Sequence, residues 1–494
     1  WTGGHARGET TLTLSSASAY AVGDKVLMTS PPLVGSGENA QISEFTYIAQ
    51  VVSRSGNTIT IDRGLPIAFN PSGAQVSKIK LQENAGIECM TVRDTEPNFV
   101  SGEYYNSSNL RMDFGWNTWV KDIDFGDTYH LHGGSRYLAR SVIMNSRFGE
   151  QTKANQGDGN TCDLSVPSEF NPCWNKSTFT YQNGHDNSFI NNVVTASIGV
   201  QPVSGSSRLW IAYNYFPEPL YHPNNEPRRA IFHHGFYGYE NVSEGNDIWG
   251  QTKMDTTWGT QGPRNTFFRN KLFGPVARYA HEGNLFSCTA CSRLSVFANY
   301  LLNYGRQFSF IGGGSSIDGR SDDMWLERNV YTASNGMPTN NVGLPAAQPN
   351  RTTRISNYNA SSVPLGSQWN SLSLPNTLNE NVNGVPDFWC QETVSNGGQA
   401  CDFALAGGIG ALWNGSCKLP AQVRNEGGTC TPTRGTGGSS PPPPPPPSSG
   451  LSLNLTPRLE SRSVSGSDSF SVRVYQQGGA SALLSWTGSG STIA

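Results

Sequence analysis

Histidines, arginines and aromatic rings are the side chains in this 494-residue chain whose spacing could do chemistry. His132 lies 13 residues before Asn145, while His233 and His234 lie 13 and 12 before Asn246. If the chain repeats itself, these three fall at similar places on successive repeats. Arg228, Tyr237, Trp258, Arg278, His281 and Glu282 could share that face. Such a face suits a glycan: rings stack on sugars, charged and polar groups bond hydroxyls, and a histidine can act as a general base. The plainer alternative is histidines that anchor surface loops. The best carboxylate cluster is Asp122, Asp124 and Asp127. Calcium takes six or more oxygen ligands, and Asp122 is needed for a structural role described next, so Ca²⁺ is a weak candidate and no cofactor is expected. Cys288-Thr-Ala-Cys291 has no second pair to complete a four-ligand zinc site, so no metal is expected either.

These residues must be positioned by something periodic, and one phrase recurs. Asp122, Asn145, Asn192, Asn214, Asn246, Asn270, Asn299 and Asn329 each follow an apolar residue by three positions, except that Ser243 stands before Asn246. The spacings of 23, 47, 22, 32, 24, 29 and 30 residues fit coils of roughly 22 to 24 residues, with extra loop residues in some coils and one unmarked coil in the 47-residue gap. A bend between the apolar residue and the marker would let both face inward, and Asn tolerates the left-handed backbone such a bend needs. Its amide both donates and accepts, so markers in adjacent coils can bond in a ladder.

Composition narrows the class. Charged residues make up 14% and the net charge is −3. No basic run speaks for nucleic acid, and no apolar stretch approaches the length of a membrane span. Trp1 reads as the start of a mature or partial product. Cys162 with Cys173, Cys288 with Cys291, Cys390 with Cys401 and Cys417 with Cys430 form near pairs. Close pairs in loop-rich sequence read as local disulfides of a secreted, extracellular or cell-surface protein. Cys89, standing where a marker would fall, reads as a small buried thiol. Sequons at Asn106, Asn175, Asn241, Asn350, Asn359, Asn414 and Asn454 are compatible with secretion.

The expected organisation is all-β. Residues 1–80 read as an N-terminal β cap, because solenoid ends need cover. Residues 81–335 read as coils, and 336–432 as an irregular segment packed on the rod. Residues 433–450, with prolines from Pro441 to Pro447, read as a stiff linker. Residues 451–494 resemble the opening strands of an immunoglobulin or fibronectin type III module, only partly present.

Val22-Gly-Asp-Lys-Val with Asn57-Thr-Ile-Thr-Ile-Asp resembles the entry segment of pectate-lyase-like right-handed parallel β-helices. Tyr239-Glu-Asn-Val-Ser-Glu-Gly-Asn246 and Gly262-Pro-Arg-Asn-Thr-Phe-Phe-Arg-Asn270 look like phrases of secreted bacterial β-helix proteins. The resemblance implies a right-handed parallel β-helix solenoid and leaves function open, because lyases, glycosidases, tailspikes and adhesins share it. The lyases it implies use Lys or Arg as base, often with Ca²⁺; the glycosidases use several Asp residues on adjacent coils, and no such set is visible. Two functions follow. A rod, a proline spacer and an incomplete β module form a head-to-tail connector, hence an extracellular filament or surface layer built by self-association. Alternatively the chain is a polysaccharide lyase or hydrolase, or a monomeric glycan-binding adhesin.

Overall fold

A computed structural model describes residues 1–31, 44–92, 108–126, 131–149, 177–195, 198–203, 205–217, 229–234, 237–255, 261–268, 270–273, 284–289, 294–297, 299–302, 306–311, 325–331, 354–359, 403–404, 418–426, 433–434, 467–475 and 481–489. The chain is an all-β parallel β-helix. Each coil carries three strands. Representative first, second and third strands are Val142–Met144, Arg147–Phe148 and Ser177–Gln182. Each pairs in parallel with its counterpart in the next coil: Val142 with Ser188, Arg147 with Val193, Ser177 with Ile198. The direct pairing of Val142 with Ser188 leaves no room for the unmarked coil expected between Asn145 and Asn192: the 47-residue gap is one coil with a long insertion. Side chains pointing inward stack into one core that includes Phe125, Ile143, Phe148, Phe179, Phe189, Val200, Ile211, Ile231 and Phe267. Burying such a column is what stabilises a coil that has no neighbours in its own plane.

Between the first and second strands the backbone turns in two residues. The first adopts the left-handed conformation: Cys89, Asp122, Asn145, Asn191, Tyr213 and Gly245 all have φ between 54° and 61°. The second carries the carboxamide ladder. Asn192 Nδ2 donates to Asn214 Oδ1 (3.2 Å), Asn214 to Asn246 (3.0 Å), Asn246 to Asn270 (2.8 Å) and Asn270 to Asn299 (3.0 Å). Each Oδ1 also accepts the backbone N–H of the preceding coil, as Asn246 Oδ1 does from Asn214. All five asparagines are buried.

The ladder therefore exists, but two expected members belong elsewhere. Register places Asp122 and Asn145 in the left-handed column beside it, while Ile123 and Ser146 occupy the ladder position. Ser146 Oγ accepts from Ile123 N, and Asn192 Oδ1 from Ser146 N. The shift went unseen because Asn is at home in both places, one for its left-handed backbone and one for its amide. The side chain of Asn329 lies outside the described residues. Cys89 also sits in the left-handed column and is exposed, not buried.

A second ladder at the turn before the first strand was not foreseen. Asn187 Oδ1 accepts from Ser141 N, Asn241 Oδ1 from Leu209 N, and Asn265 Oδ1 from Asn241 N. The left-handed residues preceding it alternate in charge: Arg140, Asp186, Arg208, Glu240 and Arg264.

Residues 1–80 build an antiparallel sheet ordered Thr11–Thr13, Thr58–Ile61, Phe45–Ser55, Lys25–Ser30, Gln75–Lys78. Its contacts run along the flank of the rod from the coil of Glu83 to that of Arg264. They fall on the alternating-charge column. Arg63 pairs with Asp186 (3.0 Å), Arg7 with Glu240 (2.8 Å), and Asp62 with Arg140 (2.5 Å). Tyr47 donates to Asp186 (3.1 Å), and Thr46 meets the His185 ring (3.1 Å). A short helix, Pro420–Glu426, lies on the outer face of the second strands, with Ala421 against Val193 and Tyr215. The strands Ser467–Tyr475 and Ser481–Ser489 form an antiparallel hairpin. Among the described residues no helix is long and apolar enough to cross a membrane.

Candidate active site

Among the described residues, the histidines expected on one face do not share it. His132 points inward between Phe125 and Phe148, with its Nε2 2.8 Å from the Gly149 carbonyl oxygen. His233 is also inward, against Phe267, and burial holds its pKa at about 3. The two are not equivalent. Gly133, Phe179, Val200 and Ile231 share one position; His132 precedes it by one residue and His233 follows it by two. Asn145 stands one column before Asn246, and the turn after Ile231 is two residues longer than the turn after Gly133, so equal counts back from the two markers reach different places. His234 lies tilted against Phe232, with ring centroids 4.7 Å apart. Tyr237 is buried beneath the N-terminal sheet against Phe45. Arg228, Trp258, Arg278, His281 and Glu282 lie outside the described residues. So do Cys162, Cys173, Cys291, Cys390, Cys401, Cys417 and Cys430, together with the side chain of Cys288.

The acidic cluster also disperses. Asp122 lies 3.7 Å from Lys121, Asp124 pairs with Arg147 at 3.1 Å, and Asp127 is outside the described residues. Among the described residues no group of three or more metal-ligating side chains occurs.

A different group assembles on the outer side of the rod, where the first strand turns into the second. Glu244 ends the strand Val242–Glu244, and Asp247 begins Asp247–Trp249. Period-two alternation points both outward, yet both are buried. Glu244 accepts from Trp210 Nε1 (3.0 Å) and Tyr213 OH (3.2 Å) of the preceding coil. Accepting on both oxygens is the role of an ionised carboxylate. Asp247 is placed differently. Its Oδ2 lies 3.4 Å from Lys271 Nζ, and its Oδ1 is buried without a partner. Burial pushes the Asp247 carboxyl above the usual carboxylate range, and Lys271 only partly opposes this. Trp249 and Phe273 pack edge-on at 4.0 Å beside the pair.

The backbone is bent to make this arrangement. Tyr213 holds φ at 57°, a conformation a bulky residue adopts only when its surroundings impose it. A Cβ on Gly245 in the next coil would stand 2.7 Å from the Tyr213 ring. Glycine at 245 thus makes room for the phenol that holds Glu244. The sequence carried a signal for this coil: Ser243 alone stands where the repeated phrase has an apolar residue.

The fold is that of parallel β-helix proteins. No protein-family model matches the chain, and no curated protein matches it. Among solved structures it is similar to the tailspike gp61 of Pseudomonas phage phi297, with 14% identity, a TM-score of 0.42, and coverage of 71% of this chain and 53% of that one. It is similar to the Gp54 tailspike of Acinetobacter baumannii bacteriophage AP22, solved with a capsular saccharide, with 12% identity, a TM-score of 0.43, and coverage of 72% and 54%. A GH87 α-1,3-glucanase catalytic domain is matched at 10% identity and a TM-score of 0.26 over 72% of this chain and 86% of that domain. The chain spans about half the length of the two tailspikes.

Proposed function

We propose that the protein is a carbohydrate-active β-helix enzyme that hydrolyses a polysaccharide outside the cell, with Asp247 and Glu244 as its two carboxylates. One observation carries this: two acidic groups on one coil sit in opposite environments, one accepting two donors and one left buried with an unmatched oxygen. Pairs of titratable groups pushed apart in this way divide acid and base roles. Burial favours the protonated form of the Asp247 carboxyl, and in the reaction that carboxyl gives its proton to the glycosidic oxygen as the bond to the anomeric carbon breaks. The electron pair leaves with that oxygen. Glu244 serves the opposite face, taking a proton from the water that attacks the anomeric carbon. After each turnover Asp247 takes a proton back from solvent and Glu244 releases one, and Trp249 with Phe273 offers a ring surface for the sugar. The filament expected from the proline run has no comparable support, because residues 441–447 lie outside the described residues.

The test is release of reducing ends from polygalacturonate, alginate, hyaluronan and α-1,3-glucan. Asp247→Asn and Glu244→Gln should each lower the rate on the cleaved polymer about 10²–10⁴-fold, with thermal melting unchanged. Wild-type rates in both variants would remove the assignment.

A further inference from the structure

The core of the rod is left open at its first coil. Strands Gly86–Glu88 and Thr91–Val92 pair in parallel with Trp119–Lys121 and Asp124–Phe125 of the second coil. Among the described residues no strand pairs with their other edge. The apolar residues of this coil, Ile87, Met90, Val92, Leu110 and Met112, are only partly buried. Their counterparts one coil on are closed in: Val120, beside Ile87, is 1% exposed, and Phe125, beside Val92, is 0% exposed. The N-terminal sheet lies along the flank, and these residues stay half-buried with it in place. An apolar end with a bare strand edge recruits other chains unless something covers it.

The C-terminal hairpin has the pattern of such a cover. Its register pairs Phe470 with Trp486, Val472 with Leu484 and Val474 with Ala482. Period-two alternation puts these six on one face, and Ser469, Ser471, Ser485 and Thr487 on the other. A two-stranded hairpin is marginal in water until its apolar face is packed. Strand Ser467–Tyr475 comes within 8 Å, Cα to Cα, of strand Gly86–Glu88. The course of the chain agrees. Strand Arg354–Asn359 stacks on Trp325–Tyr331, late in the rod. By Ala421 the chain has come back to Val193 and Tyr215. Three coil steps then remain from Val193 to Thr91, about 14 Å in all. Residues 427–466, at roughly 3.3 Å each when extended, exceed that gap several times.

We infer that the C-terminal hairpin is the cap of the rod, laying its apolar face over Ile87, Met90, Val92, Leu110 and Met112 of the same molecule. The hairpin gains the surface it lacks alone, and the first coil loses an edge that would otherwise pair with a second rod. This seat does not depend on the hydrolase reading, because Glu244 and Asp247 take no part in it.

Hydrogen exchange of the full chain, read by mass spectrometry, tests this. Residues 86–92 should be protected to an extent that does not change with protein concentration. Leu484→Asp puts a charge on the apolar face and should speed exchange across residues 86–92 about tenfold. Exchange at Ser188–Ile190, deep in the rod, should stay as it was, which shows that the coils remain folded. Ser485→Asp, on the opposite face, should leave residues 86–92 as in the wild type. Equal exchange in the wild type and Leu484→Asp overturns the inference, and so does equal acceleration by the two variants. Light scattering identifies the occupant. A monomer with residues 86–92 protected supports the seat within one molecule. A dimer that Leu484→Asp dissolves places the hairpin on a second copy and overturns it.

Discussion

A methyl group at position 245 would stand 2.7 Å from the Tyr213 ring, on a backbone with φ at 61°. Gly245→Ala should therefore displace the phenol from Glu244 and cut activity more than stability. Its kcat should fall at least as far as that of Tyr213→Phe, which loses the hydroxyl and keeps the ring. Steady-state kinetics with a parallel melting curve checks both. The ladder asparagines predict the opposite balance. Asn214 donates to Phe189 O and to Asn246 Oδ1 and accepts from Asn192. Asn214→Ala leaves several buried polar groups unmatched and should cost about 2–4 kcal/mol in denaturant unfolding. At this scale the sequence was legible wherever a residue type repeated. It was not legible for Glu244 and Asp247, which occur once each, and whose roles depend on Trp210, Tyr213 and Lys271 from neighbouring coils.

The N-terminal sheet and the rod meet through a column of fixed charges, and pH should act on that seam. Asp186 is buried beside Arg63, Arg208 and Arg140, with Tyr47 and His185 also facing it. Glu240 is buried among Arg7, Arg208 and Arg264. Burial alone would raise both carboxyls, but the arginines hold them below the usual range. A depressed carboxyl pKa contributes stability above its unfolded value and loses it as pH falls through the folded one. The buried imidazoles act in the same direction: burial lowers His185 and His233 from 6.5 to about 3, so folding opposes their protonation. Stability should begin to fall as pH drops below about 6.5 and continue into the carboxylate range. Denaturant midpoints from pH 8 to 4 test this, and His233→Met should flatten the upper part of the slope. Asp186→Asn, which strands buried arginines, should cost about 3–5 kcal/mol. None of this seam was legible. Its acidic and basic members come from residues far apart in sequence, and only the coil register brings Arg140, Asp186, Arg208, Glu240 and Arg264 into line.

The rod itself was the most legible feature, because a solenoid writes its period into the chain. The repeated phrase turns apolar positions such as Phe189, Ile211 and Phe267 inward, and they are buried. The places where reasoning slipped are those where two columns use the same residue, as Asn145 and Asn192 do. Deleting residues 187–208, one coil, tests the architecture as a whole. Both carboxamide ladders keep their register, so the rod should still melt cooperatively. The deletion sets Asp186 beside Glu240 and removes Arg208, so the N-terminal sheet should come loose. Protease cleavage between residues 79 and 82 should then appear in the deletion and not in the intact chain.

One ladder member has a bearing on how the protein can be made. Asn241 begins the tripeptide Asn-Val-Ser, yet its amide is spent inside the rod, donating to Ser206 O and accepting from Leu209 N. An oligosaccharyltransferase working on the nascent chain in a yeast or insect-cell host would reach that nitrogen before the coil closes. Every molecule so tagged would carry a branched sugar where there is room for none, and the yield of native material would depend on a race between translocation and winding. Replacing Ser243 with alanine abolishes the acceptor sequence at the cost of its buried hydrogen bonds to Asn270 Oδ1 and Asn246 Nδ2, and it should raise recovery from such hosts relative to recovery from bacteria.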